Sequence, residues 1–366
     1  VKKLFIAATR QNDGKTSVSL GLFSALKTLF PKIGYMKPVG QQYRIVDGQK
    51  IDKDAVLFRN VYALSDLLSD MSPIAVPAGF TERYIDSPNR SELLEKIETA
   101  FSSLSRDKDF VLAEGTGHGG VGAVFDMSNG DVAAALNLPV ILVTLGGIGK
   151  AMDEILLNKA FFESRGCNVI GVIINKVQED KWDKIHRNLT LALSRHDLPL
   201  LGMIPYVPML TKPTVCELHE ELNATLLCGD ENINNRIQKF VIGAMLPHDA
   251  MDYFDEDTLL IAPANREDLI ITALSCRFLP KTNTLGVSAI LLTGGIEPHP
   301  KILEMVKLAN IPLLLVKEDS FTVATKINKL LSKLRETEHE KIEMMQNLVK
   351  KHVNIPQLLS LIEKAD

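Results

Sequence analysis

The triplet Gly14-Lys15-Thr16 is the part of this chain best suited to chemistry. It follows a short apolar run, Leu4-Phe5-Ile6-Ala7-Ala8, and the mostly polar stretch Thr9-Arg10-Gln11-Asn12-Asp13. Beyond it, Val18, Leu22, Ala25 and Leu26 are spaced for one face of a helix. Strand, tight loop and helix start are the context a phosphate-binding loop needs, because free N–H groups and the positive end of the helix dipole both favour an anion there. Gly14 would let the backbone wrap close to phosphates, Lys15 would reach β and γ oxygens, and the Thr16 hydroxyl would ligate Mg²⁺. The usual pattern G-x-x-x-x-G-K-[ST] has its first glycine where this chain has Thr9.

Other polar residues follow apolar runs in the same way. Strand-like runs occur at 32–36, 110–113, 139–144, 169–174 and 200–204, separated by helical patterns near 51–70, 91–104, 151–165 and 180–195. The runs are solidly apolar rather than alternating, which predicts a parallel sheet covered by helices on both faces. Ligands gather at the carboxyl ends of such strands. Lys37, Glu114 and Asn175 all fall there with the phosphate loop, so one site is expected.

Each residue has a candidate role and a plainer alternative. Asp54 and Glu114 are candidate Mg²⁺ ligands beside Thr16, since Mg²⁺ takes hard oxygens and one or two carboxylates suffice. Asp54 could instead cap a helix, Glu114 could be a solvated loop carboxylate, and Asp52 is a second choice for the metal. Lys37 would hold a substrate carboxylate or steady a transferring phosphoryl group, or be a surface lysine before Pro38. Arg10 could act as an arginine finger or be a solvated loop residue. His118, in the glycine-rich loop after Glu114, could touch substrate or be exposed. Asn175 could read an adenine edge or be a turn residue. Thr9, Asn12, Asp13, Gly14, Lys15, Thr16 and Ser17, with Gly115 and Gly117, are the positions expected to line a nucleotide.

Composition narrows the rest. A length of 366 residues predicts two domains, and with 46% of them hydrophobic each can bury a core. Net charge is −4 with both signs interleaved, so nucleic acid is not an expected partner. Cys167, Cys216, Cys228 and Cys276 form no CxxC pair, as expected of a reduced cytoplasmic protein. No signal peptide and no apolar run of about 18 residues stands out, so no membrane span is expected. From about Pro213 the pattern restarts. A helix is predicted at 215–227 and strands at 239–245, 258–263, 287–292 and 311–316. A charged amphipathic helix is predicted at 333–352, with Leu334, Ile342, Met345 and Val349 as its apolar stripe. The expected division is therefore 1–212, a smaller α/β domain at 213–330, and a helical segment at 331–366.

Residues 1 to about 212 resemble dethiobiotin synthetase and its relatives among the P-loop amide-forming ligases. The carriers are the Thr-rich loop without its first glycine, Tyr35-Met36-Lys37-Pro38-Val39, Asp54-Ala55-Val56, Glu114-Gly115-Thr116-Gly117-His118 and Asn175. The second domain resembles the DRTGG domain through Asn265-Arg266 and Thr293-Gly294-Gly295. The pair is similar to the amino-terminal part of long bacterial phosphotransacetylases, whose acetyltransferase domain is not expected here. In those proteins the loop lysine is often degenerate, whereas Gly14-Lys15-Thr16 is intact. The resemblance implies ATP and Mg²⁺ as cofactors, a small-molecule substrate and a homodimer, across which Arg10 could act as related loops use a lysine or could stay a solvated loop residue. It implies either an ATP-dependent ligase-like enzyme that activates a carboxylate or carbamate, or a regulatory protein with slow ATP turnover and a ligand-sensing second domain. The extra domain, Met36 and His118 set the chain apart from dethiobiotin synthesis itself.

Overall fold

The computed structural model describes residues 1–210, 212–276, 286–329 and 334–365. The chain divides into two compact units. One comprises Val1–Val207 with Leu334–Asp366, and the other Pro208–Lys333.

The first unit is built on six strands: β1 (Lys2–Ala8), β2 (Ile33–Met36), β3 (Phe110–Glu114), β4 (Val140–Leu145), β5 (Val169–Val177) and β6 (Leu200–Pro205). They lie in the order β6-β5-β4-β1-β3-β2, and every pairing is parallel. The chain steps one way from β1 to β2 and the other way from β2 onward. Right-handed crossovers therefore place helices on both faces, as the apolar strands predict. Leu4, Phe5, Val111, Leu112, Ile141 and Val172 are wholly buried.

Helix α1 (Lys15–Leu29) starts directly after the loop that follows β1. A polar hairpin, Tyr43–Val46 with Gln49–Asp52, turns at Asp47 and Gly48 with φ of 50° and 77°. It leads into α2 (Lys53–Tyr62), which is shorter than the helical pattern predicts. The short helix Leu68–Met71 follows separately. Sequence periodicity missed the hairpin because its strands are mostly solvated.

The C-terminal residues complete this unit. Helix α3 (His339–His352) starts later than predicted, with Leu334 ahead of it and residue 333 outside the described residues. Its stripe Ile342, Met345 and Val349 is buried against α1. The approach depends on Gly21, where an added Cβ would lie 2.3 Å from Val349 Cγ2. Gly202 pairs with Val353, and α4 (Ile355–Ala365) packs on β1, β5 and β6.

The second unit holds β7 (Thr225–Cys228), β8 (Lys239–Ile242), β9 (Thr258–Pro263), β10 (Ala289–Thr293) and β11 (Leu313–Leu315), ordered β7-β11-β10-β9-β8. Only β7 is antiparallel among these described strands. It lies where a helix is predicted to run through 227. The helix instead stops at Glu221, and Asn223 turns left-handed with φ 48°. Separate apolar clusters around Leu260 and Leu259 fill the two sides of the sheet.

Candidate functional site

The site grows from the carboxyl ends of β1, β3, β4 and β5. Gly14 is the left-handed N-cap of α1, with φ 88°. A Cβ there would sit 2.2 Å from Asn175 Nδ2, so the loop can close only over glycine. Asn175 Nδ2 donates to the Asp13 carbonyl at 2.9 Å, and Asn175 Oδ1 accepts from Lys176 N at 2.9 Å. Lys176 donates to the Asn12 carbonyl at 3.3 Å. Asn175, expected beside an adenine edge, thus braces the loop here.

Thr9 explains its own departure from the usual pattern. Its hydroxyl lies 2.8 Å from Asp13 Oδ2 and 2.8 Å from Thr144 Oγ1, all buried. Arg10 N also donates to Asp13 Oδ2, at 3.0 Å. Burial raises the Asp13 carboxyl above its ordinary range against the lowering effect of Thr9 and Arg10. The Arg10 guanidinium is held in its own chain, 3.0 Å from Glu154 and 3.6 Å from Asp13. As placed, it does not extend outward as a finger.

At the head of α1 four elements meet. Glu114, the last residue of β3, is fully buried. Its Oε1 accepts from Lys15 Nζ at 2.6 Å, Thr16 Oγ1 at 2.8 Å and Lys37 Nζ at 2.9 Å. Its Oε2 accepts from the Tyr35 hydroxyl at 3.1 Å. Lys37, just past β2, also donates to Asp54 Oδ2 at 2.7 Å and to the Gly115 carbonyl at 3.0 Å. Thr16 Oγ1 lies 3.4 Å from Asp54 Oδ2. Asp54 is not the helix cap. Asp52 caps α2 by accepting from Asp54 N at 2.9 Å, which leaves the Asp54 carboxylate facing Lys37.

The charges answer one another. Burial alone would raise the Glu114 carboxyl, but Lys15 and Lys37 hold it well below the carboxylate range. Burial would lower Lys37, but Asp54 and Glu114 hold it well above its ordinary value. Lys15 is lowered, by burial first and Lys37 second, with Glu114 pulling the other way. Burial and then the neighbouring Asp54 push Asp52 up to about 6. Burial and Glu114 raise Tyr35 well above a free phenol.

The second glycine loop is clipped rather than free. Asn129 Oδ1 accepts from Thr116 N, and its Nδ2 donates to the Thr116 and His118 carbonyls. Gly115 leaves room for that amide, since a Cβ would fall 2.6 Å from Asn129 Oδ1. Gly117 turns with φ 62°. Asn158 joins the two loops, donating to the Thr9 carbonyl and accepting from Gly119 N. His118 is exposed, and its Nδ1 accepts from Gly120 N. Ser17 is part-buried in the first turn of α1. Sequence reasoning gave no role to Tyr35, Asn129, Asn158 or Thr144. Only Tyr35 carried a signal, as a neighbour of Lys37 in one motif.

The donor set suits Mg²⁺. Thr16 Oγ1, Asp54 Oδ2 and Glu114 Oε1 are hard oxygens, and an ammonium already bridges the two carboxylates. Among the described residues no group of three or more His, Cys, Asp or Glu could hold a metal ion. Oxygens from a bound phosphate would have to complete the shell.

Residues 2–214 match the AAA domain family. The chain belongs to the AAA domain family. In this AAA domain protein, residues 217–330 match the DRTGG domain. The chain is 27% identical over 365 residues to a phosphate acetyltransferase of Nitratidesulfovibrio vulgaris, covering 97% of this chain and 51% of that one. It is 28% identical over 370 residues to the phosphate acetyltransferase of Pseudomonas aeruginosa, covering 96% and 50%. The chain therefore spans about half the length of these curated relatives. The AAA and DRTGG pairing is that of the amino-terminal part of long phosphotransacetylases, as its sequence resemblance indicates. A solved MinC–MinD cell division complex of Aquifex aeolicus is 14% identical, with a TM-score of 0.37, over 57% of this chain and 84% of that one.

The DRTGG signature residues of this AAA domain protein hold their own unit together. Arg266 donates to the Gly243 and Met245 carbonyls and pairs with Asp268. Gly294 N and Gly295 N donate to the carbonyls of Glu318 and Val316, and the Thr293 and Ser320 hydroxyls lie 2.8 Å apart. Among the described residues no helix is long and apolar enough to cross a membrane.

Proposed function

We propose that the first unit binds a nucleoside triphosphate, ATP by expectation, together with Mg²⁺, and acts on its γ-phosphoryl group. One observation carries the reading: Lys15 and Thr16 from α1, Lys37 after β2, Asp54 from α2 and Glu114 from β3 converge within hydrogen-bond distance. Lys15 and the N–H groups at the start of α1 would receive the phosphates. Thr16, Asp54 and Glu114 would hold the metal, which supplies charge neutralisation between phosphate oxygens. Lys37, itself buried, stands beside them and would steady charge on the phosphoryl group. Asn175, Asn158 and Thr9 keep the loop in shape.

The proposed chemistry is ligase-like activation of a carboxylate or carbamate. A specific observation favours a second reading: the relatives are phosphate acetyltransferases, and this chain matches about half of each. On that reading the AAA domain is a nucleotide-binding regulator with slow turnover and the DRTGG domain senses a second ligand.

The test is ATP binding and hydrolysis with Mg²⁺ by the wild type, Lys15→Ala and Glu114→Ala. Each variant is expected to lose about a hundredfold or more in turnover, as when one preorganised electrostatic contact is removed. Turnover stimulated by bicarbonate, amines or small carboxylates supports the enzyme. A slow basal rate untouched by them supports the regulator. Wild-type protein that binds no nucleotide ends both readings.

A further inference from the structure

We infer that Lys37 is a resident counter-cation that keeps the divalent-metal position closed until phosphates arrive. The inference rests on the metal and nucleotide reading above and concerns how that same site is controlled.

An ammonium has three N–H donors. Lys37 directs them at three acceptors: Asp54 Oδ2 at 2.7 Å, Glu114 Oε1 at 2.9 Å and the Gly115 carbonyl at 3.0 Å. Its side chain is 4% exposed, and that of Glu114 is fully buried. The first two acceptors are the carboxylate oxygens placed to hold Mg²⁺ with Thr16. The ammonium therefore occupies the ground a metal would take. Lys15 adds a second cation on Glu114 Oε1 at 2.6 Å.

A divalent ion entering this arrangement alone would meet two positive charges within a few ångströms, where burial weakens screening. Nucleotide alone would draw Lys15 from Glu114 and leave that buried carboxylate, with only Lys37 of its two lysines, beside an incoming phosphate, which is also costly. A triphosphate and a metal together remove both objections. The lysines gain new anionic partners, and the carboxylate oxygens become available to the cation. Metal and nucleotide should therefore bind with strong positive coupling, and Lys37 should be the residue that enforces it.

The measurement is Mn²⁺ binding by electron paramagnetic resonance, with and without a non-hydrolysable ATP analogue. Nucleotide-free wild type is expected to bind Mn²⁺ weakly and to bind it well with the analogue. Lys37→Gln removes one cation from among Asp52, Asp54 and Glu114, so nucleotide-free Mn²⁺ affinity should rise by roughly tenfold or more. Lys37→Arg keeps the charge and should show no such rise. Circular dichroism establishes that each variant is folded. A folded Lys37→Gln with no gain overturns the inference. So does wild type or Lys37→Arg binding Mn²⁺ equally well with and without the analogue, and these two decide the matter if Lys37→Gln does not fold. Wild type that never binds the analogue would sink the nucleotide reading instead, while the Mn²⁺ contrast between wild type and Lys37→Gln would still report on Lys37.

Discussion

The Tyr35 hydroxyl is 3.1 Å from Glu114 Oε2, and its ring stacks on Phe58 with centroids 3.6 Å apart. That contact fixes the rotation of a buried carboxylate whose other oxygen receives Lys15, Thr16 and Lys37. Tyr35→Phe keeps the stacking but leaves Oε2 without its donor. Unsatisfied buried acceptors cost about 1–3 kcal/mol, so the variant should lose that much stability in chemical denaturation with unchanged helix content. An unchanged midpoint would mean that the hydroxyl does not position Glu114. The loop triplet and Glu114 were legible in the sequence because their signal is local: an apolar run, then glycines and a charged residue. Tyr35 was half visible, inside a motif but without a role. Asn129 and Asn158 were invisible, since they sit on helices at ordinary positions and act across 11 to 149 residues of chain. Nothing in local spacing marks such a partner. For Arg10 and His118 the sequence left a chemical and a plainer reading side by side, and their contacts here are local, Arg10 with Glu154 and His118 with Gly120.

At the scale of elements, the phosphate-loop helix is held from behind by α3. Gly21 is buried in α1, and a Cβ on it would lie 2.3 Å from Val349 Cγ2 and 3.0 Å from the Met345 carbonyl. Gly21→Ala gains helix propensity, worth roughly 1 kcal/mol. It also forces a backbone-level contact, and overpacking of that kind typically costs about 1–3 kcal/mol. The net expectation is destabilisation, partly restored by adding Val349→Ala, read as non-additivity in a double-mutant cycle. Additive effects would show that the helices adjust without strain. The sheet itself was readable because buried parallel strands are continuous apolar runs. The hairpin and β7 were not, because one is polar and the other follows a helical pattern broken by a left-handed Asn223. Gly21 also gave no sign of its purpose, since its partner lies more than three hundred residues away in sequence.

For the whole molecule, the division of the chain decides which pieces stand alone. The first unit consists of Val1–Val207 and Leu334–Asp366, so the second unit is inserted within it. A fragment ending at 212 keeps all six strands but loses the wholly buried Val349, Leu358 and Ile362, which cover α1 and the sheet. Exposing so much contiguous apolar surface should make that fragment insoluble or molten. Joining Val207 to Leu334 through a flexible Gly/Ser linker restores those helices and should give a cooperative thermal transition. The linker must be long enough to span the two ends, which longer designs can do at little further entropic cost. Pro208–Lys333 has apolar clusters on both faces of its own sheet and should fold by itself. If the linked form binds nucleotide as the full chain does, the second unit is dispensable for the site and any influence it exerts is regulatory. If the linked form folds but no longer binds, the first unit alone does not suffice for nucleotide binding. A soluble, cooperatively melting fragment 1–212 would overturn the assignment of the C-terminal helices to the first unit's core.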